Sequence, residues 1–178
     1  EWYQPFQDYR IRLVQVMDGV IDALESDERL ATFHGDGQMS MIQDYLEIRP
    51  ENTARLARLA QAGRLMLGPW FVLPDELLVS GEALLRNLQL GHRLARGLGA
   101  EPMKFGYLCD EFGHISQMPQ ILANFGIDAA LIGRGTNEYS HPAHFVWQSP
   151  DGSRVLTYKE PDEGGYGSTT GIVQARHS

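Results

Sequence analysis

Asp110, Glu111, Phe112, Gly113 and His114 follow an apolar run, Gly106-Tyr107-Leu108-Cys109, and precede a polar helix start at Ser116-Gln117. The run reads as a buried strand that delivers two carboxylates, a ring and an imidazole onto a turn. Open parallel sheets and α/β barrels carry their chemistry at that place, the C-terminal end of a strand. Asp110, the first polar residue past the strand, can accept hydrogen bonds, ligate a metal or attack an electrophile. It can equally cap the local turn through the backbone. Glu111 cannot share a cleft with Asp110 on a tight turn and is expected at the surface. His114 has three open readings: a ring behind the site that orients a carboxylate, a direct metal ligand, or a plain turn residue.

Other residues offer weaker signals. Phe112 is either a core ring or a ring that faces a sugar. Arg134 follows the apolar segment Ala129–Ile132 between two glycines, Gly133 and Gly135. It is either an exposed loop arginine or a cation that pairs with a site carboxylate or a substrate oxygen. Trp70, between Pro69 and Phe71, is a packing residue or a ligand platform. Asp75-Glu76 after Pro74 is loop charge or the start of a cap. Cys109 reads as a buried inert thiol rather than a nucleophile. Gly133-Arg134-Gly135 lacks the third glycine and helix opening of a dinucleotide fingerprint, and no HExxH or GxSxG motif occurs.

Periodicity gives the elements that position these residues. Phe6, Tyr9, Leu13, Met17, Val20 and Leu24 recur at steps of three and four, which predicts a helix from about Pro5 to Leu24. A strand is expected over Arg29–His34, then a helix over about Met39–Glu47. Pro50 opens a third helix, with Leu56, Leu59 and Ala60 on its buried face and Gly63 as its stop. Arg64–Leu67 is a strand candidate. Ser80 is the expected N-cap of a long helix from Gly81 to about Gly97. Lys104–Cys109 is the strand before the key turn, Ser116 the cap of the next helix, and Gly126 its end. Ala129–Ile132 is another strand, and His144–Gln148 with Arg154–Tyr158 form a hairpin around Asp151-Gly152.

Strand and helix patterns alternate from residue 29 to 135, so the fold class is α/β: a parallel sheet or partial β/α barrel with crossover helices. Strand ends would then release Asp36 with Gln38, Trp70 with Asp75, Asp110 with Phe112 and His114, and Arg134 onto one rim. The segment from Pro161 onward, rich in Gly, Ser and Thr, reads as a loop or a truncated edge.

The chain has 178 residues, 43% of them hydrophobic, enough for one domain with a core. A complete α/β barrel takes about 250, so a single partial domain over 1–178 is expected. The formal net charge of −8 argues against nucleic acid as a partner, because phosphate contacts need clustered cations. One cysteine rules out an internal disulfide framework and fits a reducing, cytoplasmic compartment. No apolar run approaches a membrane span and no signal peptide is read at the N-terminus. Both ends read as cut, so the chain is expected to be part of a longer protein.

Two blocks resemble the family-38 glycoside hydrolases, the zinc-dependent retaining α-mannosidases. One is Asp110-Glu111-Phe112-Gly113-His114 with Gln117-Met118-Pro119 and Gly133-Arg134-Gly135. The other is Gly68-Pro69-Trp70-Phe71-Val72-Leu73-Pro74-Asp75-Glu76 with Ser80-Gly81-Glu82-Ala83-Leu84-Leu85-Arg86-Asn87. Asp36-Gly37-Gln38 with Asp44-Tyr45-Leu46-Glu47 and Pro50 is similar to bacterial-type members, and Glu1-Trp2-Tyr3 resembles the residues C-terminal to the family's His-x-Asp metal motif.

The resemblance implies a glycoside hydrolase/deacetylase-like barrel, hydrolysis of terminal α-D-mannosides, and a mannose-containing oligosaccharide as partner. It implies Asp110 as nucleophile and zinc ligand, Trp2, Phe112 and Arg134 as substrate-binding residues, and His114 behind the site. It also implies that the His and Asp zinc ligands belong before Glu1, and that a further His ligand and the acid/base Asp lie beyond this sequence. The chain alone is therefore expected to hold Zn2+ poorly and to be inactive. Two other readings are a polysaccharide deacetylase, whose expected His-x-x-x-His motif is missing, and a non-catalytic carbohydrate-binding module on the same fold. Oligomeric state is left open.

Overall fold

The structure is a computed structural model that describes residues 4–162. The chain forms two compact units, residues 4–72 with 87–103 and residues 73–86 with 104–162.

In the first unit, α1 (Phe6–Ser26) buries Met17, Ile21 and Leu24. The expected stripe is buried only at its C-terminal end: Leu13 and Val20 are half-buried, and Phe6 is exposed. β1 (Phe33–His34) and β2 (Leu65–Met66) pair in parallel, with Phe33 opposite Leu65. β1 is shorter than the expected strand because Leu30 N–H donates to the Asp27 carbonyl, which makes the preceding residues a turn. α2 (Ser40–Ile48) contributes Ile42 and Tyr45 to the core, and α3 (Thr53–Gln61) contributes Leu56, Leu59 and Ala60. Pro50 opens a 3-10 turn, Pro50–Asn52, rather than α3 itself. Gly63, at φ 70°, ends the segment in the left-handed conformation that frees a helix C-terminus.

α4 (Gly81–Gly97) has the predicted bounds, and the Ser80 hydroxyl accepts the Ala83 N–H at 3.2 Å as an N-cap.

The second unit is a four-stranded sheet in the order β3-β4-β6-β5, formed by β3 (Gly106–Leu108), β4 (Ala129–Ile132), β5 (His144–Gln148) and β6 (Arg154–Lys159). β4 is parallel to both β3 and β6, while β5 and β6 form the expected antiparallel hairpin. α5 (Met118–Asn124) links β3 to β4. A Cβ on Gly106 would stand 2.7 Å from a methyl of Leu122, so glycine lets α5 lie close on β3. Ser116 does not cap α5: Gln117 holds the N-cap position and no side chain caps it. The observed class is mixed α/β with parallel sheets. No helix among the described residues is long and apolar enough to cross a membrane.

Candidate active site

The ladder between β3 and β4 continues past both strands. Gly133 N–H donates to the Leu108 carbonyl at 3.2 Å, and Arg134 N–H donates to the Cys109 carbonyl at 3.1 Å. This approach demands glycine. A Cβ at Gly133 would lie 2.2 Å from the Cys109 oxygen, and one at Gly135, where φ is 83°, would lie 2.8 Å from both Gly113 N and His114 Nε2. The two flanking glycines thus let the main chain set Arg134 beside the turn after β3. Arg134 Nε stands 3.0 Å from Asp110 Oδ1, with the two side chains 48% and 51% exposed. The Arg134 guanidinium also lies over the Phe112 ring, 5.4 Å from its centroid. Phe112 is exposed, so it is not a core ring.

Behind this open face lies a buried polar layer. Glu76 is fully buried: its Oε1 is 2.8 Å from His114 Nδ1, and its Oε2 accepts the Ile115 N–H at 2.8 Å. The other ring nitrogen of His114, Nε2, donates to the Arg134 carbonyl at 2.8 Å. A carbonyl can only accept, so Nε2 carries a proton. Burial opposes charge on the ring, but the hydrogen bond to Glu76 and its negative charge outweigh it and raise the His114 pKa. The ring therefore holds a second proton to a higher pH than a free imidazole does. Trp147 of β5 meets the His114 ring edge to face at 5.4 Å between centroids.

Glu111 is buried, which corrects the expectation that it lies at the surface. In the bend after β3 Asp110 turns outward to Arg134 and Glu111 turns inward, so the two neighbouring carboxylates face opposite sides. Burial, reinforced by the charge of Glu76 and opposed by His114, pushes the Glu111 carboxyl up to about 8. Its Oε1 has no hydrogen-bond partner among the described residues.

The third parallel strand end adds charge. Lys159 is buried and donates to Asp162 Oδ1 at 2.7 Å. Glu160 N–H donates to the Ile132 carbonyl at 2.9 Å. Burial raises the Glu160 pKa against the lowering influence of Lys159 and Cys109.

The sheet therefore brings Asp110, Phe112, His114 and Arg134 together. In the first unit, Asp36 sits in the left-handed region at φ 52°, with its carboxylate accepting from Gln38 Nε2 at 2.8 Å, and Gln38 bridges to Trp70. Trp70 is fully buried, a packing residue rather than an open platform. Cys109 is buried and forms no disulfide. Trp2 and the segment 163–178 lie outside the described residues. Glu76 is the residue that sequence reasoning undervalued. Its signal was a carboxylate between two apolar runs, Phe71-Val72-Leu73-Pro74 and Leu77-Leu78-Val79.

Residues 1–175 match the glycosyl hydrolases family 38 N-terminal domain. The chain belongs to that family. A putative mannosylglycerate hydrolase of Halalkalibacterium halodurans is 41% identical over 168 residues, which cover 88% of this chain and 19% of the relative. The crystal structure of an alpha-mannosidase from Enterococcus faecalis superposes with a TM-score of 0.84 at 34% identity, covering 89% of this chain and 18% of that one. A 4-alpha-glucanotransferase from Thermococcus litoralis shares the fold at a TM-score of 0.66 and 16% identity. The family-38 chain thus spans about a fifth of the length of the first two proteins.

The zinc implied by the resemblance does not find a complete site in these residues. Among the described residues no group of three or more His, Cys, Asp or Glu side chains is placed to hold a metal ion. One oxygen of Asp110 already faces Arg134. A zinc site needs three or four protein ligands.

Proposed function

We propose that this family-38 chain supplies the nucleophile-bearing part of a retaining glycosidase that hydrolyses terminal α-D-mannosides, with Asp110 as the nucleophile. The observation that carries the reading is the half-exposed Asp110 carboxylate at the C-terminal end of β3, paired at 3.0 Å with Arg134. In such a reaction a carboxylate oxygen attacks the anomeric carbon and the bond to the leaving oxygen breaks. An acid group protonates that oxygen, and water then hydrolyses the glycosyl ester. Arg134 orients Asp110 for attack and balances its charge before the step. Phe112 offers an exposed apolar face to the C–H groups of a sugar. The resemblance puts the acid/base group beyond this sequence.

The finer parts of the reading rest on the same resemblance. These are a partial β/α barrel, zinc dependence with Asp110 as one ligand, and mannose-containing oligosaccharides as substrates. The relative named as a putative mannosylglycerate hydrolase adds mannosylglycerate as a second candidate substrate.

The test is turnover of an aryl α-mannoside and of mannosylglycerate by the full-length polypeptide, with and without Asp110→Asn. Loss of about 10³-fold or more in kcat is expected for the variant. Activity within a few-fold of the unaltered protein would remove Asp110 from the mechanism.

A further inference from the structure

We propose that Glu76 is the positioning residue for the Asp110–Arg134 pair, acting through His114. The inference rests on the reading of Asp110 as nucleophile and extends it to a residue that touches neither Asp110 nor Arg134's side chain in any described contact. Glu76 makes two bonds with one fully buried carboxylate. Oε2 takes the Ile115 N–H at 2.8 Å and so fixes the end of the turn that begins at Asp110. Oε1 holds His114 Nδ1 at 2.8 Å and so fixes the ring plane. The fixed ring aims Nε2–H at the Arg134 carbonyl, 2.8 Å away. The Arg134 main chain is thereby held from two sides, by its N–H on Cys109 and by its carbonyl on His114. Its side chain then meets Asp110 at 3.0 Å and covers Phe112.

The arrangement leaves little slack. His114 is only 9% exposed at the side chain and packs against Trp147, so its ring cannot swing to another partner without displacing that contact. Gly135 has no Cβ where His114 Nε2 approaches. Three segments distant in sequence, around 76, 110–115 and 134, are thus tied by one carboxylate and one ring. Reacting groups displaced by about 1 Å can lose roughly 10²-fold in rate, so this tie matters for kcat rather than for binding.

Two substitutions separate geometry from charge. Glu76→Gln keeps an acceptor for Ile115 N–H and offers its amide N–H to a neutral His114 Nδ1, so both ties survive. Glu76→Asp keeps the charge but shortens the arm by one methylene and cannot span both partners. In the full-length polypeptide, Glu76→Gln is expected to keep kcat within about threefold. Glu76→Asp should lower kcat by about 10- to 100-fold, on the order set by such a displacement, with KM unchanged. In an Arg134→Ala background the Glu76→Asp change should cost less than it does alone, because the part of its effect that runs through the Arg134 side chain is already gone. Should Glu76→Asp fail to fold, His114→Asn breaks the same link from the other side and carries the same expectation.

Nitrogen NMR of His114 gives a readout independent of turnover. In Glu76→Gln the ring should lose its Nδ1 proton and keep the one on Nε2. Unchanged kcat in Glu76→Asp, or a full additional loss in the Arg134→Ala background, would overturn the inference while leaving Asp110 intact as nucleophile. Full turnover in Asp110→Asn would instead remove the reading on which it rests.

Discussion

Replacing Glu111 by Gln should change how stability depends on pH. Glu111 is a buried carboxyl whose pKa lies at about 8 rather than 4.5. At 1.36 kcal/mol per pH unit that separation corresponds to about 5 kcal/mol, a ceiling that water entry and local relaxation reduce. Between pH 4.5 and about 8 the folded chain keeps the proton and the unfolded chain has lost it. The folded state then binds more protons, so unfolding free energy falls as pH rises through that window and levels off above it. Glutamine mimics the protonated acid in shape and carries no titratable proton, so the variant lacks this component. His114 and Glu160, both raised, also lose their stabilising contribution as pH rises, but they are common to both proteins. The difference between the two therefore reports Glu111 together with its charge coupling to His114. The assay is urea unfolding followed by circular dichroism from about pH 5 to about pH 9, a range that brackets the raised pKa. The variant is expected to gain on the unaltered protein with rising pH, by several kcal/mol at most. Parallel curves over the whole range, or a variant that loses ground to the unaltered protein as pH rises, would refute a protonated Glu111 in the interior.

The glycine that admits Arg134 makes a second target. Gly133→Ala puts a methyl 2.2 Å from the Cys109 oxygen, a main-chain atom that cannot step aside. Overpacking of this kind costs about 1–3 kcal/mol or more, seen as a lower Tm. Gly19→Ala, in α1 with open space around it, should instead raise Tm by an amount worth about 0.5–1 kcal/mol, and a lower Tm there would contradict the open site. Calorimetric titration of the 178-residue chain with zinc should show no tight stoichiometric binding, and one tight site would contradict the incomplete ligand set.

Much of the fold was legible because periodicity and punctuation agree. α1 and α4 follow their apolar spacing, Ser80 caps α4 through Ala83, and Gly63 and Gly126 take φ of 70° and 69° at the expected stops. The parallel β3–β4 pair follows from the strand, helix, strand order. Ser116 misled because α5 starts two residues later, where Pro119 fits the first turn and the Ile115 carbonyl accepts the Met118 N–H. The Glu111 expectation used half of the right argument. Two neighbouring carboxylates cannot share one cleft, but the excluded one turned into the interior, and no local rule announces a buried acid. The bond from Glu76 to His114 spans 38 residues, and only tertiary packing creates it.

The backbone ladder at Gly133 and Arg134 has a practical corollary for engineering. The frame that carries positions 112 and 134 is fastened by main-chain bonds and by the Glu76–His114 link, none of which uses the side chains at those two positions, and both of these extend toward water. Their identities can therefore be randomised without moving the scaffold. A combinatorial library at 112 should keep the folded yield near that of the parent, whereas any side chain introduced at 133 or 135 meets main-chain atoms and should lower it.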